Sequence, residues 1–479
     1  MPTFINIRHL DVEGLHGNQR LTVDFQPGLN IFHGKNGHGK TTMLHIVANL
    51  LERDIERFCH IVFRRLVAEM DNGAKLELRQ VPSSDGARVE VLVDGAASGF
   101  VRRGEITPLP LNALLRERLG GRPVYLPAFR SVLEAITRTT FTQGHVSSDF
   151  EKSETARIIE LVTQEFRSDP EQRKIPYMML RSRSESLAQK TILCRRWFGP
   201  FVPLVRYPSL WEVADEVAHE VQDAYLELSA TDQKALSSVF VNVLGAVLGS
   251  DSDEDRESVP QLLSRVKHHL EALDPGNNEV AEIYSQLGST LKMHGADSTP
   301  EAKVSRILHV YEKALADRAE TQKKAFERIR IFQESVNRFL EEEGRRLVLD
   351  VRASYKGRGL RSGSNLIELP GKRRANFNAL SSGERHVVTL LFSATHMSSA
   401  DGVVLIDEPE LSLHVEWQRI ILTELEKQAS GRQIIACTHA PEVSADHLEV
   451  YFPLATVAWT PDTSQLSDDI EDDDGAEGA

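Results

Sequence analysis

An α/β fold interrupted by a large α-helical insertion is what this 479-residue sequence predicts, and three observations predict it. The apolar run Leu29 to Phe32, the glycine-rich stretch His33 to Thr42 (HGKNGHGKTT) and the helix-like run Met43 to Leu51 follow one another as strand, loop and helix. Far along the chain a second apolar strand, Val403 to Ile406, delivers Asp407 and Glu408 at its carboxyl end, where ligands bind in a parallel α/β sheet. Between about residues 148 and 345 glycine thins, strand-like runs vanish, and apolar residues recur at steps of three and four.

Taken in order, Phe4 to Leu10 and Leu21 to Phe25 alternate apolar and polar residues and read as strands before the glycine loop. After the loop helix, Ile61 to Met70 and Leu76 to Val81 flank Asp71-Asn72-Gly73, an Asn-Gly hairpin signal, and Val89 to Val93 adds another strand. A small antiparallel sheet is expected here. Pro123 to Leu126 reads as a buried strand. Val304, Leu308, Tyr311 and Leu315, then Ile329, Phe332, Val336 and Phe339, mark a long helix or helical hairpin whose stripe serves packing. The stretches Ser250 to Glu257 and Asp274 to Asn278 read as exposed connections. Strand character returns at Leu347 to Val351. After the basic, glycine-rich stretch Lys356 to Arg374 come LSSGE, a helix to about Ser398, a helix from Val415 to Gln428 and a strand from Gln433 to Cys437.

Composition sets bounds on function. The 41% hydrophobic content is ordinary for a globular protein with two or three domains. Cys59, Cys194 and Cys437 form no CxxC pair, so no disulfide framework or zinc site is indicated. No basic-then-apolar leader and no bilayer-length apolar run is visible, from which a cytoplasmic protein without membrane contact is expected. Half of the formal net charge of -14 lies between Asp468 and Glu477, in a tail expected to be disordered. That balance does not point to nucleic acid.

The spacing of Gly34, Gly39, Lys40 and Thr41 is that of a phosphate-binding loop, whose backbone N–H groups wrap a polyphosphate while the lysine meets its outer phosphates. The following helix N-terminus adds a partial positive charge. Asp407 suits a divalent ion shared with the Thr41 hydroxyl, and Glu408 suits orienting or deprotonating a water. Leu380 to Glu384 places a serine-glycine turn at a helix start, either an anion site or a plain N-cap. His439, just past the strand, could hydrogen-bond a terminal phosphate or serve structure alone.

Together these segments resemble the ATPase head of the ABC class in its soluble branch, shared by structural-maintenance-of-chromosomes, RecF and "overcoming lysogenization defect" (OLD) ATPases of the AAA_21 type. GKNGHGKTT matches the Walker A loop of that class, LSSGE its signature, LIDEPELSLH its Walker B and D-loop, and ACTHAPEV its switch-histidine segment. YLPAFR, Tyr125 to Arg130, is similar to its arginine-bearing segment. For its Q-loop glutamine the nearest candidate is Gln143. The resemblance implies an ABC-type P-loop ATPase head, with a mixed sheet and an antiparallel β subdomain, in two lobes at residues 1–147 and 346–461. Residues 148–345 would be the helical insertion carrying oligomer and partner contacts, and 462–479 the acidic tail. It implies ATP and Mg2+ as ligands. Gly34, Asn36, Gly37, Gly39, Lys40, Thr41 and Thr42 would hold nucleotide, Thr41 and Asp407 the ion, and Glu408 and His439 would be catalytic.

In the class two heads sandwich two ATPs, so Ser381, Ser382 and Gly383 would complete the site of a neighbouring copy and a homo-oligomer is implied, which a likeness to anti-phage ATPases would extend to a hexamer. The inter-lobe region is too short for the long arm of a chromosome-organising ATPase. The stretch after His439 is too short for a TOPRIM domain in the same chain. These features are similar to the stand-alone ATPase subunit of bacterial anti-phage systems of the PARIS kind first and the Septu kind second. That likeness implies a separate TOPRIM or HNH nuclease effector and a phage-protein trigger. The alternative is a RecF-like DNA-repair ATPase, for which Arg181, Arg183, Lys190, Arg195 and Arg196, or Lys372, Arg373 and Arg374, would form the DNA surface.

Overall fold

The structure, a computed structural model, describes residues 4–82, 87–129, 133, 149–168, 177–248, 259–273, 301–349, 366–396 and 402–460. Gln143, Arg130, the connections at 250–257 and 274–278, and the acidic tail lie outside the described residues. Two compact units are present: Met1–Leu210 with Leu380–Ala479, and Trp211–Ala379.

The first unit is built on two sheets. Strands β1 (Ile7–Leu15), β2 (Gln19–Asp24), β4 (Arg65–Met70), β5 (Lys75–Val81), β6 (Arg88–Val93), β7 (Ala96–Arg102) and β15 (Val457–Ala458) form a seven-stranded antiparallel sheet in the order β15-β2-β1-β4-β5-β6-β7. The expected Asn-Gly turn joins β4 to β5. Val89, Val91 and Val93 face the core while the residues between them are only partly covered, the period of two that specifies a half-buried strand. The second sheet is parallel, in the order β14 (Tyr451–Pro453), β3 (Leu29–His33), β13 (Ile434–Thr438), β12 (Val404–Asp407) and β8 (Val124–Leu126). Its inner strands read as continuous apolar runs because both faces are covered. Helix α1 (Lys40–Leu51) is buried from Met43 onward and shares one apolar core with both sheets and with α2 (Leu109–Leu119). Gln433 stitches the sheets together: its amide accepts from Ile7 N at 3.0 Å and donates to the carbonyls of Ile7 at 2.9 Å and Gln26 at 2.8 Å.

Helices α3 (Asp149–Ser168) and α4 (Tyr177–Phe198) belong to this unit, so the division falls at Leu210 and Leu380 rather than at 148 and 345. Buried charge supplies the reason. Arg157 of α3 donates to both carboxylate oxygens of Asp54, at 2.8 and 3.0 Å, just beyond the end of α1. Arg195 of α4 joins Glu154 and lies 3.6 Å from Asp54, and Arg57 reaches Glu154 at 3.2 Å. Each of these groups is almost wholly buried, so the helices cannot leave the head without stranding charges.

The second unit contains α5 (Leu210–Leu248, from its second residue), α6 (Val259–Leu273) and α7 (Glu301–Leu340). Helix α7 is one continuous helix of 40 residues, about 60 Å at 1.5 Å per residue. Leu308, Leu315, Ile329, Phe332, Val336 and Phe339 form its buried stripe, and α6 packs along it. A three-stranded antiparallel sheet, β9 (Arg346–Leu347), β10 (Ile367–Leu369) and β11 (Arg373–Ala375), follows. Asn337 pins β9 by accepting from Leu347 N at 2.6 Å and donating to its carbonyl at 3.2 Å. Helices α8 (Ser382–His396) and α9 (Val415–Ala429) return to the first unit and pack on each other. Among the described residues, no helix is long and apolar enough to cross a membrane.

Candidate functional site

Strand β3 ends at His33 and the glycine loop turns the chain into α1. Gly39 is the N-cap, at φ 84°, a left-handed conformation that glycine adopts without Cβ strain. The first intrahelical bond is Met43 N to Gly39 O at 2.8 Å, so the amides of Lys40, Thr41 and Thr42 stand ahead of the helical ladder. Asn36 and Gly37 are exposed on the loop's outer rim. Gly34 lies under the chain that leaves β14: a Cβ there would come 2.6 Å from the Leu454 carbonyl. The Lys40 ammonium is buried. It donates to the carbonyls of Gly34 at 2.8 Å and Lys35 at 3.3 Å and sits 3.5 Å from His439 Nδ1.

The parallel register brings the distant acids to this loop, because β12 pairs with β13 and β13 with β3. Thr41 Oγ1 donates to Asp407 Oδ2 at 2.9 Å, joining residues 366 positions apart. Glu408 takes φ 49°, a left-handed conformation uncommon outside glycine, and its N–H donates to the Cys437 carbonyl at 2.8 Å. Its carboxylate Oε1 is 3.2 Å from His439 Nε2. An ammonium can only donate, so the Lys40 contact fits His439 with Nδ1 as acceptor and the proton on Nε2, facing Glu408. Lys40, Thr41, Asp407, Glu408 and His439 thus converge on one loop.

Glu410 was not singled out by its sequence position, two residues past Glu408 in the same acidic run. Its Oε1 accepts from Thr438 Oγ1 at 2.7 Å, His439 N at 2.9 Å and Ala440 N at 3.1 Å. An acid spaced so that one strand end can supply three carboxylates was the available signal.

Charge at the site is lopsided. Burial pushes the Cys437 thiol well above its ordinary value, and Asp407, Glu408 and Glu410 push the same way against Lys40. The Thr41 hydroxyl and the Asp407 carboxylate are the oxygens here that suit a divalent cation; among the described residues no group of three or more His, Cys, Asp or Glu side chains is placed to hold a metal ion. Burial first, and the Lys40 charge second, lower the His33 pKa.

The Ser381 to Glu384 turn forms a reciprocal capping box. Ser381 N donates to Glu384 Oε2 at 2.6 Å and Glu384 N donates to Ser381 Oγ at 3.3 Å, so the plain N-cap geometry is present. Ser381 and Ser382 remain exposed, and Gly383 abuts the Ser412 carbonyl.

The basic residues considered for DNA divide. Lys190 is buried and donates to the Tyr207 carbonyl at 3.2 Å, and Arg195 is buried in the ion-pair cluster; both serve packing. Arg196 is exposed. The side chains of Arg181 and Arg183 lie outside the described residues. Lys372, Arg373 and Arg374 occupy the exposed β10–β11 hairpin of the second unit.

Residues 248–445 match the AAA_21 family, described as "AAA domain, putative AbiEii toxin, Type IV TA system". Over 75 residues the chain is 37% identical to the retron Ec83 probable ATPase of Escherichia coli. That match covers 13% of this chain and spans 14% of the relative's length. Among solved structures, the chain is similar to the Smc head domain with an extended coiled coil from Pyrococcus furiosus, at 15% identity and a TM-score of 0.38, over 95% of this chain and 96% of that one. It is likewise similar to the Smc head with coiled coil and joint from Pyrococcus yayanosii, at 13% identity and a TM-score of 0.36, over 95% and 97%. The glycine loop, the strand-end acids and His439 are thus gathered at one parallel sheet, in a chain whose residues 248–445 are similar to the AAA_21 family.

Proposed function

We propose that this chain binds and hydrolyses ATP as the sensor and scaffold subunit of a bacterial anti-phage complex in the cytoplasm, holding or licensing a separate nuclease. The observation that carries the enzymatic part is the convergence of Thr41 on Asp407 and of His439 on Glu408 around Lys40. The loop amides from Gly34 to Thr42 and the Lys40 ammonium bind the outer phosphates. Thr41 and Asp407 would hold Mg2+, which would neutralise charge on the phosphate oxygens. Glu408 orients a water and takes its proton, while His439 fixes the Glu408 carboxylate and reaches the terminal phosphate. Exposed Ser381 and Ser382, with Gly383, meet the phosphates of a second copy, and the AAA_21-type head works as an ATP-dependent clamp in a homo-oligomer, up to a hexamer.

The stretch shared with a retron ATPase supports the defence setting. A TOPRIM nuclease is the first choice of effector and an HNH nuclease the second, with a phage protein as trigger and the helical region as the partner-binding part. The enzymatic test compares Glu408→Gln with Lys40→Ala. Glu408→Gln is expected to bind ATP, lose hydrolysis by about a hundredfold or more, and sediment as an ATP-dependent assembly. Lys40→Ala is expected to lose nucleotide binding. Wild-type hydrolysis by Glu408→Gln refutes its assignment, and an unchanged sedimentation coefficient with ATP refutes the sandwich. For the defence setting, the complex purified from its native host should contain a nuclease; recombination or repair proteins in its place would overturn that part.

A further inference from the structure

We propose that Glu410 is the positioning residue that aims His439 at Glu408. The inference rests on the reading of Glu408 and His439 as the catalytic pair. Strand β13 ends at Thr438, whose register partner His33 is the last residue of β3, so the next amides leave the ladder without strand acceptors. Glu410 Oε1 takes both of them, His439 N at 2.9 Å and Ala440 N at 3.1 Å, together with the Thr438 hydroxyl at 2.7 Å. Ala440 N also donates to Thr438 Oγ1 at 2.9 Å, closing the turn on itself.

Thr438 is wholly buried and Glu410 nearly so, which makes these bonds to an ionised oxygen strong and their loss costly. Glu408 and Glu410 are joined through Pro409, whose ring fixes φ. The same short segment therefore grips residue 439 twice: Glu408 at the imidazole, 3.2 Å away, and Glu410 at the backbone. Backbone and ring are fixed relative to one carboxylate pair, and a small rotation of the 438–440 turn would move Nε2 away from Glu408. Among the described residues Glu410 Oε2 has no hydrogen-bond partner, so a glutamine can present its carbonyl oxygen at Oε1 without forcing its amide nitrogen against a donor.

The test uses the full chain with Mg2+ and ATP and compares Glu410→Ala, Glu410→Gln, His439→Ala and the double variant Glu410→Ala/His439→Ala. Glu410→Ala should lower kcat about ten- to a hundredfold, the scale of a misplaced catalytic group, with ADP affinity by calorimetry unchanged. Glu410→Gln should restore most of kcat. The double variant should be no slower than His439→Ala alone, because a residue acting only through His439 has nothing further to lose. If Glu410→Ala does not fold, Thr438→Val removes one of the three donors and should lower kcat by a smaller factor at unchanged affinity. Wild-type kcat in Glu410→Ala or Thr438→Val, a Gln variant as slow as the Ala variant, or multiplied losses in the double variant would each overturn the proposal while leaving an impaired His439→Ala standing. Wild-type turnover by His439→Ala would instead remove the catalytic reading, and the proposal with it.

Discussion

Replacing Arg157 by leucine should cost this protein a large share of its stability without touching the phosphate loop. Asp54, Glu56 and Glu154 face Arg57, Arg157 and Arg195 in a cluster where every member is almost fully buried and the charges balance. Arg157 alone holds Asp54 at 2.8 and 3.0 Å and Glu154 at 3.2 Å, and lies 3.6 Å from Glu56. Leucine fills much of the volume but leaves one carboxylate charge uncompensated in a dry site, which costs about 3–5 kcal/mol. That is about a fifth or more of the roughly 5–15 kcal/mol by which folded proteins are stable. Urea unfolding followed by circular dichroism should show the transition of the first unit moved to lower denaturant, with nucleotide affinity retained. Adding Asp54→Asn restores charge balance, so the double variant should lose less than the two single losses together, by about 0.5–3 kcal/mol. A loss below about 1 kcal/mol for Arg157→Leu, the range of an exposed pair, or strict additivity, would refute the picture of a dry, balanced cluster.

The same cluster sets an acid limit. Burial raises the carboxyl pKa values, but the arginines outweigh it for Asp54, held well below the usual carboxylate range; for Glu56 the His60 contact and the arginines hold it at about 2. Because the folded values lie below the unfolded ones, the stabilisation is complete above about pH 5 and is lost as pH falls toward 2, which a pH series of unfolding midpoints will register. Gly34→Ala should weaken nucleotide binding at least tenfold by calorimetry, since its Cβ would meet the Leu454 main-chain oxygen at 2.6 Å and the loop must shift. Glu384→Ala removes half of the capping box at Ser381 and should cost about 0.5–2 kcal/mol, seen as faster amide exchange in the first turn of α8.

Much of the site was legible because its chemistry is local. A strand, a glycine loop and a helix start are written in adjacent residues, and Asp407 and Glu408 end an apolar run that can only be a buried strand. What escaped reading depends on distant partners. Ala96–Arg102 has Val101 as its only buried residue, so β7 carries no alternation to betray it. Two-residue β15 is defined by β2, not by its own pattern. Glu154, Arg157 and Arg195 look like the solvated face of amphipathic helices, yet Arg157 meets Asp54 103 residues earlier and draws α3 and α4 into the head. Glu410 hid among neighbouring acids, since its role is defined by the end of a strand that follows it.

Strand β3 carries the phosphate loop, and its two neighbours, β13 and β14, are both made from the last part of the chain. Asn30 of β3 donates to the Ile434 carbonyl across 404 residues. During synthesis the loop therefore emerges long before any strand that can flank it, and closing so large a span is slow. The nascent fold must wait, with β3 an open edge on both sides, until residues 434–438 and 451–453 have left the ribosome. The proposed nucleotide affinity then arises only once residues 434–438 and 451–453 have joined β3, and a chain halted before residue 434 should carry the complete glycine loop yet be unable to hold ATP.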